Sequence, residues 1–93
     1  MVIEYIGNAI KAAADDEVVV CAILKDINGI ALTKGCHFMV FDKDDNHIIT
    51  TDGEYKDDYW TFVIPTKGLK GTYQYCICHE KDKLCFKQPF YLV

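Results

Sequence analysis

Residues 69–80 read LKGTYQYCICHE, and the fold turns on how that run is laid out in space. Cys76, Cys78 and His79 lie almost side by side and Cys85 follows, a density of soft ligands that suggests a metal or thiol site. The same run is rich in Thr, Tyr and Ile, which favour a pleated, half-buried surface. On a strand, successive side chains point to opposite faces. If Tyr73 points into a core, Tyr75 and Ile77 follow it, and Cys76 and Cys78 face outward beside Thr72, Gln74 and Glu80. His79 is then turned away from both cysteines. Structural zinc needs four converging ligands, usually from knuckles with two to four residues between the cysteines, and C-x-C-H on an extended strand does not supply them. The run therefore reads as a strand that carries cysteines, with no metal and no cofactor expected.

The rest of the chain agrees with a β reading. Short runs of Val, Ile, Tyr, Phe and Thr alternate with Asp, Asn and Gly clusters. VIEYI (2–6) comes first. EVVVCAILK (17–25) is the most apolar run, and Asn28-Gly29 is a strong turn dipeptide leading to CHFMVFD (36–42). HIITT (47–51), YWTFVIP (59–65), TYQYCICHE (72–80) and LCFKQPFYLV (84–93) follow. NAIKAAADDE (8–17) is compatible with a short strand or a helical turn. About seven strands at turn spacings of about 8–12 residues, with no long amphipathic helix, predict a sandwich or small barrel.

Composition narrows the function. A chain of 93 residues forms one domain, here 1–93, and buries roughly 60–65% of the surface its unfolded form exposes. With 51% hydrophobic residues it belongs to the globular class. Net charge is −4 and Arg is absent, which argues against nucleic acid, since phosphate and guanine are read by Arg forks and basic stripes. Ser is absent too, which removes Ser-nucleophile hydrolysis. No apolar run approaches the roughly 20 residues a bilayer span needs, and MVIEYIGNAIK lacks the basic start of a secretory leader. The chain is expected to be made in a cytoplasm, where thiols stay reduced.

LKGTYQY also carries a resemblance. Leu69, Gly71 and Tyr73 resemble the tyrosine corner of immunoglobulin-like sandwiches, in which a Tyr hydroxyl bonds back to the backbone a few residues upstream. WTFVIPTKGLKGTY and the earlier LKDINGIALTKGCHFMVFDKD are similar to small immunoglobulin-like domains of tailed-phage structural proteins. The resemblance covers residues 17–93 and rests on turn and strand patterning. It implies an all-β, immunoglobulin-like antiparallel β-sandwich of about seven strands. It also implies a non-enzymatic virion structural protein, made in the host bacterial cytoplasm, most naturally an auxiliary subunit decorating the capsid. Its partners would be other virion proteins, above all the major capsid protein, with a homo-oligomer as a further form. A tail or baseplate adaptor is the near alternative, and a host-glycan-binding module the alternative from another class. One departure from secreted immunoglobulin domains is clear: Cys21 and Cys76 sit on suitable strands but with the wrong parity, and Trp60 lies on the fifth strand, so no Cys21–Cys76 disulfide is expected.

Other candidates each meet a plainer reading. A tight turn at Lys81-Asp82 would set Cys78 opposite Cys85, a cross-strand pair close enough for sulfur contact. Asp42, Asp44 and Asn46 echo the start of a calcium loop, but His47 stands where the loop needs Gly and Gly53 where it needs Glu. Cys36 and His37 are strand neighbours on opposite faces, so no thiolate–imidazole pair forms and no enzyme is expected. Tyr55, Tyr59, Trp60, Tyr75, Phe86, Phe90 and Tyr91 could line a glycan face, though a small core also needs them. VVVCAIL is apolar on both alternating sets: Val18, Val20, Ala22 and Leu24 on one face, Val19, Cys21 and Ile23 on the other. A sandwich strand normally has one wet face. Val19, Cys21 and Ile23 are therefore the candidate interaction residues.

Overall fold

The strand-forming runs pair into two sheets that close around one core. The computed structural model describes residues 2–3, 9–26, 28–80, 82–83 and 87–93. Through them run β1 (Val2–Ile3), β2 (Ile10–Ala12), β3 (Glu17–Ala22), β4 (Cys36–Phe41), β5 (His47–Asp52), β6 (Glu54–Lys56), β7 (Tyr59–Pro65), β8 (Gly71–His79), β9 (Asp82–Lys83) and β10 (Gln88–Leu92). One sheet has the order β1-β3-β7-β6 and the other β2-β10-β8-β4-β5, with β9 hairpinned onto β8. Neighbours are antiparallel except β1–β3 and β2–β10. The chain changes sheet between β1 and β2, β2 and β3, β3 and β4, β5 and β6, and β7 and β8. That interleaving is the A-B-E-D and G-F-C order of an immunoglobulin-like sandwich. The short segments β2, β6 and β9 raise the strand count above the seven expected. Of the ambiguous run after β1, Ile10–Ala12 forms a short strand, with Ile10 buried and paired to Phe90.

Period-2 alternation explains the core. Val18, Val20 and Ala22 of β3 pair with Ile64, Phe62 and Trp60 of β7, and all six point inward. Phe38 and Val40 of β4, Tyr75 and Ile77 of β8, and Phe90 and Leu92 of β10 answer them from the other sheet. Phe38 stacks on Tyr75 at 4.9 Å between ring centroids and reaches across the sandwich to Phe62 at 5.8 Å. Each such side chain contributes roughly 1.5–3 kcal/mol on burial. The polar groups taken inside are partnered: Trp60 Nε1–H donates to the Leu32 carbonyl at 2.6 Å, and the Thr66 hydroxyl donates to the Asp15 carbonyl at 2.8 Å.

Three local devices hold the strands in place. Gly53 is the corner at which β5, in one sheet, runs on into β6 in the other; a Cβ there would lie 2.5 Å from Phe62 and 2.6 Å from Trp60. The Asp26 carboxylate accepts the backbone N–H groups of Asn28 and Ile30, and Asp42 does the same for Asp44 and Asn46. Such side-chain turns explain why Asp opens both loops. Beyond β8 the hairpin turns earlier than Lys81-Asp82 would place it. Glu80 has φ 54°, His79 pairs with Asp82, and Cys78 pairs with Lys83. Within the hairpin the backbone partner of Cys78 is thus Lys83, where the sequence placed Cys85. Cys85 itself, like Phe86, lies outside the described residues.

Candidate functional site

The sheet β1-β3-β7-β6 turns an apolar face to solvent. Alternation that buries Val18 and Val20 leaves Val19 outside, where it is 40% exposed, directly opposite Val63 at 46%. Cys21 and Ile23 are half-buried, and Cys21 Sγ lies 3.8 Å from the Thr61 hydroxyl. Tyr59 and Pro65 extend the strip along β7, with Glu17 beside Pro65. Of the three residues expected to contact a partner, Val19 is well exposed, while Cys21 and Ile23 form its half-buried border. Val63 was missed. The parity that buries Trp60, Phe62 and Ile64 also sends Val63 outward, so the same rule applied to YWTFVIP would have found it.

The opposite sheet carries the cysteines. Cys76 and Cys78 point away from Tyr75 and Ile77, so the two sets occupy opposite faces of β8. Yet that outer face is not bare: Cys76 is fully buried and Cys78 nearly so, packed with Phe41 and half-buried Met39 from β4. The cysteines lie on the outer face that strand parity assigns them, and that face is covered, with Met39 and Phe41 of β4 packed against them. Cys21, on the outer face of the other sheet, has the whole core between itself and Cys76. Around the Tyr73 corner, Leu69 packs on the core, Gly71 takes φ 116°, and the Tyr73 hydroxyl donates to the Lys70 carbonyl at 3.3 Å.

The remaining candidates are dispersed by the fold. Cys36 points into the core, where burial pushes its thiol pKa up to about 11. His37 points out, its Nε2–H donating to the Glu80 carbonyl at 2.9 Å and its Nδ1 3.3 Å from an Asp52 carboxylate oxygen. The Asp42 carboxylate is occupied by its own turn: the Asn46 backbone N–H, then the Asn46 side-chain amide, hold its pKa below the usual carboxylate value. Among the described residues no group of three His, Cys, Asp or Glu is placed to hold a metal ion. Trp60, Tyr75 and Phe90 are in the core, and the exposed aromatics Tyr59 and Tyr91 lie on different sheets, so these residues form no continuous aromatic platform. A shallow hollow of about 440 Å³ beside β8 is lined by Asp42, Lys43, Asp44, Lys70 and Tyr73, with charges of both signs. Compared with protein-family models, curated proteins and solved structures, the chain finds no match.

Proposed function

We propose that the chain is a non-enzymatic structural subunit of a tailed-phage virion, an auxiliary protein that decorates the capsid and docks on the major capsid protein through the outer face of β3 and β7. The observation that carries the docking surface is the exposed Val19–Val63 pair, set at the centre of a sheet face with Thr61, Cys21, Ile23, Tyr59 and Pro65 around it. Adjacent exposed apolar side chains on a rigid sheet are what a protein partner covers. The virion assignment rests on the resemblance of residues 17–93 to immunoglobulin-like phage domains, and the sandwich strand order is compatible with it. The absence of Arg and the net charge of −4 favour a protein partner over nucleic acid.

The test is made on particles. Virions of the phage that encodes the chain are purified, the copies of the chain per particle are counted by quantitative mass spectrometry, and its position is fixed by immunogold labelling. Labelled heads, with copies in simple ratio to the major capsid protein, support the reading. Label confined to tails would assign an adaptor instead, and a chain missing from virions would overturn the virion role. Replacing Val19→Lys together with Val63→Glu keeps a complementary cross-strand pair while removing the apolar strip, and is expected to abolish incorporation.

A further inference from the structure

The buried cluster outside the main core is made largely of sulfur. Cys78 Sγ lies 3.6 Å from Met39 Sδ and 3.8 Å from Cys76 Sγ. Met39 and Cys76 are direct cross-strand partners between β4 and β8, so all three sulfur-bearing side chains leave the same face of the sheet. Two cysteines on one face of one strand, with a thioether on its neighbour, give three soft donors on a rigid sheet. From this geometry we infer that Met39, Cys76 and Cys78 form a trigonal site for a soft monovalent d10 cation, Cu(I).

Geometry and chemistry both favour that ion. With metal–sulfur bonds of about 2.3 Å, three sulfurs around a trigonal centre stand about 4 Å apart, close to the two separations that Cys78 makes with Cys76 and Met39. Thiolate and thioether donors select Cu(I), whereas Zn(II) needs a fourth ligand and seldom takes a thioether. His37, the register partner of Cys78, offers no ready fourth donor, since its ring is directed to Asp52 and Glu80. Binding displaces the protons of two cysteine thiols and leaves one net negative charge. Burial of Cys76 and Cys78 keeps water and hard ligands away from the metal.

The experiment titrates reduced full-length protein, without oxygen, into the Cu(I) complex of bicinchoninate. Copper transfer is read from loss of the chelator colour, and the metal's neighbours are read by X-ray absorption. One Cu(I) per chain with a three-sulfur shell is expected. Cys76→Ala and Cys78→Ala lose the transfer. Met39→Leu conserves volume and keeps the fold, and its copper shell falls to two sulfurs. Cys21→Ala and Cys36→Ala retain stoichiometric transfer with the same shell. Circular dichroism and thermal melting of each copper-free variant separate loss of the site from loss of the fold. The assignment is overturned by no transfer from the chelator, by a shell containing nitrogen or oxygen, or by an unchanged three-sulfur shell in a folded Met39→Leu or Cys78→Ala protein. Tight stoichiometric zinc would overturn it as well.

Discussion

Gly53 shows how much a single missing side chain can decide. The chain passes from one sheet to the other at this residue, against the faces of Trp60 and Phe62, both buried. A methyl group there must push aside rings that have no free space. Gly53→Ala is therefore expected to destabilise the protein by about 1–3 kcal/mol, measured by urea denaturation. Asp42 acts at the same scale through charge. Its pKa is held down in the folded state by the Asn46 N–H and side-chain amide, so its contribution is present above the unfolded value, about 3.9, and is lost as pH falls through the lower folded value. Melting temperatures of the native protein and of Asp42→Asn should converge as the pH drops below about 4. A constant gap across that range would show that the turn does not depend on the charge.

Along an element, alternation separates residues that hold the sandwich from residues that are available to a partner. On β7, Phe62 is fully buried and its neighbour Val63 is 46% exposed. Phe62→Ala is expected to cost about 3–5 kcal/mol and to leave little of a domain whose total stability is of order 5–15 kcal/mol. Val19→Lys with Val63→Glu should change stability by no more than about 1 kcal/mol, since both side chains already meet water. Chemical denaturation of the two variants side by side checks the contrast. Comparable losses would mean that the outer face is covered within the protein and is not a docking surface. On β8 both faces are apolar and buried, the inner one in the main core and the outer one in the sulfur cluster. Alternation there assigns the face without revealing how deeply it is buried.

For the whole molecule, the last residues are structural. β10 lies between β2 and β8 and supplies Phe90 and Leu92 to the core, so removing residues 88–93 exposes two strands and opens the sandwich. That truncation should abolish cooperative thermal unfolding, and a truncated protein that still melts cooperatively would show the remaining strands to be sufficient. What the sequence by itself determined was local: the longer strands β3, β4, β5, β7, β8 and β10, the Asp-led turns, and the parity that puts Tyr75 and Ile77 opposite Cys76 and Cys78. Those follow from a side-chain period of two and from turn chemistry, both of which act within a few residues. Only the tertiary structure decided which outer face is covered and which is open. Val19 and Cys76 read alike as outward-facing apolar positions, yet one is 40% exposed and the other fully buried. Met39 and Phe41, distant in sequence, are packed against Cys76 by the pairing of β4 with β8. Non-local pairing likewise placed Gly53 against Trp60 and Phe62, and set Cys78 opposite Lys83. Register across a sheet depends on where each turn closes, and at the end of β8 a turn that closes earlier than expected gives Cys78 a different partner.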